Sequence, residues 1–497
     1  MPEIAPITNS SDGATAEATT TTSTLQGNLG VASIFFSVVA WAAPLLVVVG
    51  LMPSMIAFSG NGIVAGFATT TSILLLFSVG YTAITRYVDR PGAFYTYITA
   101  GLGREAGLGG AFVAIFGYLL LLLSTWVALG FFLRQLVVDT LGGPDIPWYV
   151  LSVAGSLIAG LMSYLTIEFS AKTLTFALLL EVVLVVVFNA VVFKDGGSDG
   201  VVTQPFTAEG IASGSFGLAV LYAALCFIGF ESSAIYREEA KDPVKTIPRA
   251  TYLAVSLIGI FYMISAWALL TALGPQGVAD AQAGGDVSTM FNDLSSSFIA
   301  AVVPDIVTVL VITSTFACLL ASHNAVARYG YSLGRDGVLP KRFGQAHPKF
   351  KSPYLASILI TVLELVAISV IATVTKFAGD GSDAFTIYVR MNGLGAIAVV
   401  FLMSLVSIAV IVYFRTHGTA HSDNRWKTLI APSLGLIGLI GILVLALQNV
   451  DVLIGASLTV SLLMTLVLPL VLAGGFLYAR WLRQAKADVY TRIGRQG

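Results

Sequence analysis

The sequence predicts an all-α membrane protein with twelve transmembrane helices, and three observations support this: its composition, the length of its apolar runs and its charge distribution. Of its 497 residues, 56% are hydrophobic and 11% are charged, whereas about 25% of the residues in a soluble domain are charged. Apolar runs of about 20 residues or more recur from residue 31 to 481, long enough to cross a bilayer as helices. Stretches such as 174–193 lack the alternating polarity of a transmembrane β-barrel.

The apolar runs define the predicted organisation of the chain. Residues 1–29 are rich in Ser and Thr and are expected to form a disordered cytoplasmic tail. Ten of the predicted helices fall within 30–415 and two, helices 11 and 12, within 416–483, and a second cytoplasmic tail is expected at 484–497. The approximate bounds of the twelve predicted spans are 31–58, 63–88, 107–134, 148–167, 172–193, 214–237, 250–273, 303–329, 353–375, 385–414, 428–448 and 452–481.

The distribution of basic residues predicts the orientation. With twelve spans, 22 of the 26 lysines and arginines fall in the loops on one side. The positive-inside rule places that side, with both termini, in the cytoplasm, and we expect a multi-pass protein of the cell membrane. A missed span would invert every later loop and blur this separation, so the asymmetry also supports the count of twelve.

The net charge, the positions of the cysteines and histidines and the catalytic motifs missing from the sequence disfavour other classes of protein. A net charge of −1 argues against a nucleic-acid partner. Cys226 and Cys318 both fall inside predicted spans, and the four histidines are widely spread, so neither a disulfide framework nor a metal site is expected. The sequence contains no nucleophile elbow and no phosphate-binding glycine loop that would indicate an enzyme, and no cofactor is expected.

Two predicted spans contain helix-breaking residues near their middle. In span 1, Pro44 lacks an N–H and disfavours the helical conformation of Ala43. In span 6, a flexible Gly229 is followed closely by Glu231, a carboxylate at bilayer depth. The two breaks lie five spans apart along the chain, as in transporters built from inverted repeats around a midplane site. Alternatively, Pro44 merely kinks its helix and Gly229 merely permits close packing.

The stretch 229–250, GFESSAIYREEAKDPVKTIPRA, resembles the amino acid-polyamine-organocation superfamily of permeases. Two further stretches agree with this resemblance: Pro91 to Tyr97 after span 2 and Arg335 to Pro340 after span 8. The resemblance extends from about residue 31 to 480. It implies a five-plus-five inverted-repeat core with discontinuous helices 1 and 6, with repeats at 31–193 and 211–415, plus two extra helices.

The resemblance also implies function, namely transport of amino acids, polyamines or other organic cations by proton symport or by exchange. Many members carry a Gly-Ser-Gly stretch in helix 1 whose amides hold a substrate carboxylate. This chain has Trp41-Ala42-Ala43-Pro44-Leu45 there instead, which leaves the substrate class less defined.

The expected substrate site lies between the two breaks. Glu231 places a carboxyl group at this depth, where it can exchange a proton, pair with an ammonium group and act in gating. Alternatively, Glu231 is a structural acceptor of hydrogen bonds from the unpaired amides of the break. Aromatic side chains could cover an ammonium group by cation–π attraction, although each is individually more typical of packing. The predicted substrate-binding residues are Trp41, Ala42, Ala43, Pro44, Leu45, Tyr118, Phe227, Gly229, Phe230, Glu231 and Ser314.

Two further groups of charged residues are candidates for coupling and gating. Glu181 lies in the middle of span 5, where proton-using relatives often carry a lysine beside helices 1 and 8. Our hypothesis is that Glu181 takes up and releases the coupling proton; the alternative is a glutamate paired with a hydroxyl or amide inside the bundle. Glu238 and Glu239 belong to a charge cluster at the cytoplasmic end of span 6 and are predicted gating residues.

The two breaks therefore predict a secondary transporter that works by alternating access, and the resemblance implies that it carries amino acids and is coupled to protons, with symport or exchange left open. The expected partners are a small-molecule substrate, the proton and the lipid bilayer. A permease or exchanger for a polyamine or small amine, such as putrescine or ethanolamine, is the alternative, and a transporter-like nutrient sensor is a remoter one. A channel would require a continuous polar pore rather than two helix breaks. The sequence leaves the oligomeric state open.

Overall fold

The computed structural model describes residues 25, 28–90, 92–165, 167–197, 199–378, 384–417 and 424–494. These residues fold into helices and connecting segments, and their only β-type pairing is an isolated bridge between Leu29 and Ala240. The main helices are α1 Val31–Ala42, α2 Met52–Ser59, α3 Ile63–Ile84, α4 Phe94–Leu102, α5 Arg104–Arg134, α6 Trp148–Leu165, α7 Ile167–Asp195, α8 Phe216–Cys226, α9 Pro243–Gln282, α10 Met290–Phe298, α11 Val303–Asp336, α12 Tyr354–Ala378, α13 Ala384–Thr416, α14 Ala431–Gln448, α15 Leu458–Thr465, α16 Val467–Ala485 and α17 Ala487–Arg492.

Nine stretches within the described part of the chain are long and apolar enough to cross a membrane. The first, Val31–Ile84, contains the first predicted span and most of the second. Helices α6 and α7 correspond to the fourth and fifth predicted spans and lie outside these nine stretches. The all-helical, multi-pass membrane architecture is confirmed, whereas the count of twelve and the inverted repeat stay predictions.

The first predicted span is interrupted at Ala43, and we call this point the Ala43 break. Helix α1 ends at Ala42, and Ala43 adopts the left-handed conformation with φ 45° and ψ 67°. The chain resumes at Pro44–Leu46, continues as a π-helical turn over Val47–Leu51 and then enters α2. Pro44 is well placed at the start of a new helix, because its missing N–H is not needed there.

The sixth predicted span is interrupted at Gly229, and we call this point the Gly229 break. Helix α8 ends at Cys226, Gly229 has φ 114°, and a 3₁₀ segment follows over Phe230–Glu239. A Cβ atom at position 229 would lie 2.7 Å from Cγ of Trp41. Only glycine combines this backbone conformation with the close approach of the Trp41 ring, which brings the two breaks into contact.

The helices around the breaks form the centre of the molecule. Helix α1 packs against α7, α9 and α11, and α5 packs against α13 and α16. Most of α1 and of the 3₁₀ segment is buried. Helices α12, α14 and α16, in contrast, expose apolar side chains such as Ile437 and Leu470. Such outward-facing apolar side chains are typical of surfaces that contact lipid.

Short described parts of both chain ends pack against the bundle. Residues 1–24, 26, 27 and 495–497 lie outside the described part. Leu25 and Leu29 are buried, however, and Leu29 pairs with the main chain of Glu239 and Lys241. At the other end α17 forms, and Ile493 is fully buried. Both ends pack against the bundle because a few of their side chains are apolar and become buried there.

Candidate functional site

A cavity of about 70 Å³ adjoins the Ala43 break. Three of the predicted substrate-binding residues line it: Trp41, Ala42 and Ala43. The rest of its wall comes from residues that the sequence did not assign to the site, although of the predicted spans that contain them only the tenth, α13, carried no predicted site residue. These residues include Leu121 and Thr125 on α5, Leu225 and Ile228 beside the Gly229 break, Cys318 on α11, and Tyr388 and Asn392 on α13.

The wall of this cavity is largely apolar. Leu46, Val47, Leu51 and Ala128 complete the lining, and its polar side chains are Thr125, Asn392, Tyr388, Cys318 and Trp41. The lining contains no Asp, Glu, Lys or Arg. A small apolar group would be accommodated here at no cost for burying a charge, whereas a charged group would have no counter-ion in the wall.

The main chain at the Ala43 break is held by side chains from other helices. The Trp41 carbonyl accepts a hydrogen bond from Sγ of Cys318 at 3.0 Å. The Ala42 carbonyl accepts one from the hydroxyl of Tyr262 at 3.3 Å. These bonds supply partners for carbonyl groups that the interrupted helix leaves open.

Glu181 on α7 lies against the same break, and it is 1% exposed. Its Oε2 accepts a hydrogen bond from the hydroxyl of Ser314 on α11 at 2.7 Å. The main-chain N–H of Leu45 also donates to its carboxylate. Glu181 therefore connects α7, α11 and the first turn after the Ala43 break. This places the predicted coupling residue, Leu45 and Ser314 in one hydrogen-bonded group, although Leu45 and Ser314 lie outside the cavity lining.

Glu231 holds the main chain at the Gly229 break. Its Oε2 accepts a hydrogen bond from the Gly229 N–H at 2.9 Å, and its Oε1 accepts one from the Tyr118 hydroxyl at 2.8 Å. The hydroxyl of Tyr81 donates to the main-chain carbonyl of Glu231. The side chain is 1% exposed and does not line the cavity. The structural role considered for Glu231 is thus present in the geometry.

The remaining predicted aromatic residues pack inside the bundle. Tyr118 lies between Trp41 and Tyr329, with ring centroids 5.2 and 5.6 Å away. Phe230 makes an edge contact with Phe77, and Phe227 packs near Tyr262. Neither they nor Pro44 and Gly229 line the cavity. Of the predicted aromatic set, Trp41 alone faces this space.

Beyond the Gly229 break, charged pairs close the end of the molecule that carries both described chain ends. Arg328 on α11 donates from Nε and Nη2 to Glu239 at 2.9 to 3.2 Å, and both side chains are buried. Arg335 pairs with Glu238 at 2.6 Å in a partly exposed position. Two of the three predicted gating residues, Glu238 and Glu239, therefore link the 3₁₀ segment to α11.

A second buried polar cluster was not predicted from the sequence. Nδ1 of His323 lies 2.8 Å from Glu364, and its Nε2 lies 3.0 Å from Ser357. Ser156 donates to the other oxygen of Glu364 at 3.0 Å. The four residues connect α6, α11 and α12, away from both breaks. Their separation in sequence hides the pairing, and no group of three metal-ligating side chains occurs among the described residues.

Comparison with known proteins identifies a family and a fold. The family model described as amino acid permease matches residues 34–490. A low-affinity putrescine importer, PlaP of Escherichia coli strain K12, is 26% identical over 65% of this chain and 73% of its own length.

Two further comparisons extend this picture. The branched-chain amino acid permease BcaP of Lactococcus lactis subsp. cremoris is 24% identical over 78% of this chain and 83% of its own length. A solved structure of a Na⁺-coupled sialic acid symporter, in a substrate-bound outward-open state, has a TM-score of 0.52 and 13% identity. It covers 87% of this chain and 92% of that one. At that identity the similarity is one of fold.

Proposed function

This chain belongs to the amino acid permease family, and from that premise we propose that it is a secondary active transporter which carries amino acids across the cell membrane by alternating access. Both termini would lie in the cytoplasm, as the distribution of basic residues indicates. The observation that carries this proposal is the cavity bounded by the main chain of the Ala43 break.

The cavity favours an amino acid with an apolar side chain. Its wall offers Leu121, Leu225 and Ile228 as apolar contacts and has no ionised side chain. A substrate side chain such as that of leucine or valine would gain about 1.5 to 3 kcal/mol from complete burial. The α-amino group would face the carbonyl oxygens of Ala42 and Ala43, each of which can accept a further hydrogen bond beside the one that it already accepts.

A small amine such as putrescine is the second candidate, and one observation favours it. Glu231 lies directly behind the rings that close this part of the site, with Tyr118 bonded to its carboxylate and Trp41 packed on Tyr118. A movement of Trp41 would give an ammonium group access to that carboxylate and to an aromatic face. The similarity to a putrescine importer agrees with this alternative.

Glu181 is the residue that we propose for proton coupling. In its ionised form it accepts hydrogen bonds from the Ser314 hydroxyl and from the Leu45 N–H. Protonation removes the negative charge that strengthens both bonds. The first turn after the Ala43 break would then be held less firmly, so proton uptake would change the mobility of the chain that lines the cavity.

The ion pairs of Glu238 and Glu239 would form the inward gate. They join the 3₁₀ segment to α11, and the cavity lies on the other side of the Gly229 break. The structure would then represent a conformation closed on the side that we assign to the cytoplasm. Opening would require the buried Arg328–Glu239 pair to separate or to move together, because breaking such a pair leaves an uncompensated charge.

Uptake into liposomes tests the transport function and its substrate. Purified full-length protein is reconstituted, and accumulation of labelled leucine, valine, lysine and putrescine is measured under an inward proton gradient, with the external medium more acidic than the lumen. We expect saturable uptake and counterflow of the apolar amino acids. Uptake of putrescine alone would select the second candidate. No uptake of any compound, in vesicles where the protein is shown to be folded, would contradict the transporter and favour a sensor.

Two matched variants test the coupling residue. Glu181→Gln and Glu231→Gln each remove one buried carboxylate with nearly no change in volume. We expect Glu181→Gln to abolish accumulation driven by the pH gradient while it preserves exchange of internal for external substrate. Glu231→Gln should retain gradient-driven accumulation wherever it still transports. The reverse pattern would assign the proton to Glu231, and unchanged accumulation in both would exclude either residue.

A further inference from the structure

A second cavity, of about 700 Å³, lies apart from the substrate site at the end of the molecule that carries both described chain ends. Its walls come from the segment after α3, from α4, from the first turn of α5, from the end of α13 and from the C-terminal segment 487–494. None of its lining residues lines the cavity at the Ala43 break.

Two arginines in this wall have guanidinium groups that form no close ion pair among the described residues. Arg104 lies over the ring of Tyr490, with its Cζ 5.2 Å from the centroid, and makes no ion pair within the described part of the chain. Arg90 has its Nε 3.7 Å from Asp89, whose side chain is 81% exposed, and its Nη1 makes a long hydrogen bond of 3.5 Å to the Gly494 carbonyl. A pair that long and that exposed contributes little. Both guanidinium groups can therefore accept an anionic partner.

Glu105, the second carboxylate in the wall beside Asp89, already has hydrogen-bond partners. Oε1 of Glu105 accepts hydrogen bonds from the Tyr490 hydroxyl at 2.8 Å and from Arg483 at 3.2 Å. Arg480 also lies close enough to act on Glu105 electrostatically. The wall holds two arginines and two carboxylates, but Glu105 is paired with Arg483 and Asp89 is mostly exposed, so the charge that stays available is that of the two arginines, which suits an anion.

The position of the cavity suggests what kind of anion reaches it. It is bounded by the ends of three membrane-spanning stretches, at Ile84, Arg104 and Thr416, which are on the same predicted cytoplasmic side. Helix ends lie at the level of the lipid headgroups, and basic pockets between helices on that side bind phosphate-bearing headgroups. Arginine binds phosphate well because its planar fork matches two phosphate oxygens.

The C-terminal segment closes one side of the cavity and is firmly docked. The Gly494 N–H donates to the hydroxyl of Tyr95 at 2.7 Å and to Oδ2 of Asp336 at 2.9 Å. Tyr95 itself donates to Asp336 at 2.6 Å, and Ile493 is fully buried. A ligand in the cavity would touch Tyr490, Ile493 and Gly494, so its binding would be linked to the docking of this segment.

We propose that this cavity is a second ligand site, in which Arg90 and Arg104 bind the phosphate group of an anionic ligand beneath the docked C-terminal segment. The phosphate would be supplied either by a membrane lipid or by a soluble phosphate compound. Because this site shares no residue with the substrate cavity, the proposal can be tested independently of the transport function.

Thermal stability of the full-length protein in nanodiscs tests this site. One arm compares phosphatidylcholine discs with discs that also contain phosphatidylglycerol. A second arm adds inorganic phosphate or AMP to phosphatidylcholine discs at constant ionic strength. We expect a rise in melting temperature in at least one arm. A response to phosphatidylglycerol alone identifies a lipid, and a response to phosphate or AMP identifies a soluble ligand.

Matched charge variants connect the response to the cavity. The double variant Arg90→Gln/Arg104→Gln should lose the stabilisation, whereas Lys341→Gln/Arg342→Gln removes the same charge on the same side outside the cavity and should keep it. If the first double variant does not fold, Arg104→Gln alone is measured, since Arg104 has no ion pair there to lose. No response in either arm, or an equal response in both double variants, would overturn the proposal.

Discussion

The Ala43 break and the Gly229 break interrupt two helices that touch each other, but their surroundings differ. At the Ala43 break the main chain of Ala42 and Ala43 borders an open cavity. At the Gly229 break the main chain is covered by the ring of Trp41, and Glu231 behind it is almost fully buried. One break can meet a ligand directly, and the other is enclosed.

The two breaks also differ in where their hydrogen-bond partners come from. A buried glutamate accepts a main-chain N–H at each break, Glu181 from Leu45 and Glu231 from Gly229. Glu231 is two residues from the amide that it binds, so the Gly229 break carries its own acceptor. Glu181 belongs to another helix, so the Ala43 break depends on how α7 and α11 pack.

This difference indicates a division of roles. A break whose partners are local keeps its geometry when helices move, and it can serve as a fixed hinge. A break whose partners lie on other helices changes when those helices shift, and it can respond to a ligand or a proton. The three predictions below test this contrast, beginning with the largest expected effect.

The first prediction concerns the enclosed break and the variant Gly229→Ala. The added Cβ would lie 2.7 Å from Trp41, and alanine would have to adopt φ 114°. Overpacking and a left-handed backbone each cost about 1 to 3 kcal/mol. We expect loss of transport with a marked fall in melting temperature, measured by uptake and by thermal unfolding of the monodisperse fraction.

A matched glycine serves as the control for this variant. Gly441 on α14 has no atom within 4 Å of the position that a Cβ would take. Gly441→Ala should therefore leave transport unchanged and raise stability slightly, because alanine favours a helix. A Gly229→Ala protein with the melting temperature of the unmodified chain would show that the Gly229 break is not tightly enclosed.

The locations of both breaks could be predicted from sequence, since the cause of each is local. Proline without an N–H and glycine beside a carboxylate act on their own backbone. The multi-pass helical architecture could be predicted for a similar reason, because lipid imposes a minimum length of apolar helix. In each case the information lies within one short stretch of the chain.

The cavity wall could not be predicted in this way. Thr125, Cys318 and Asn392 are ordinary residues on three different helices, and only the packing of those helices brings them to the Ala43 break. The same holds for the partners of Glu181 and for the pairing of His323 with Glu364. Contacts between distant segments leave no periodic signal in the sequence, so the predicted site centred on the breaks and missed the opposite wall.

The second prediction uses the two free cysteines to compare exposure at the two breaks. Cys318 lines the cavity and donates to the Trp41 carbonyl, whereas Cys226, just before the Gly229 break, donates to Tyr222 and does not line it. We expect a small methanethiosulfonate reagent to modify the Cys226→Ala protein several-fold faster than the Cys318→Ala protein. Mass spectrometry of the intact protein measures both rates.

Substrate provides the control for the labelling experiment. A transported compound bound in the cavity should slow modification of Cys318, while modification of Cys226 should not change. Equal rates in the two variants would mean that the Gly229 break is as accessible as the Ala43 break, and the contrast between an open and an enclosed break would fail.

The third prediction concerns Ala43→Gly and has the smallest expected effect. Ala43 is a non-glycine residue at φ 45°, a conformation that costs an L-residue about 1 to 2 kcal/mol and glycine nearly nothing. Part of this gain is offset because glycine loses more backbone entropy on folding. We therefore expect a melting temperature equal to or slightly above that of the unmodified chain, with transport retained.

The neighbouring residue supplies a control of opposite sign. Ala42 ends α1 in the helical conformation, so Ala42→Gly should lower stability by about 0.5 to 1 kcal/mol. If Ala43→Gly destabilised the protein as much as Ala42→Gly, the left-handed conformation at Ala43 would carry no strain. The break would then be held only by Pro44, by the hydrogen bonds that Cys318 and Tyr262 donate and by the one that Glu181 accepts, so its geometry would depend entirely on the neighbouring helices.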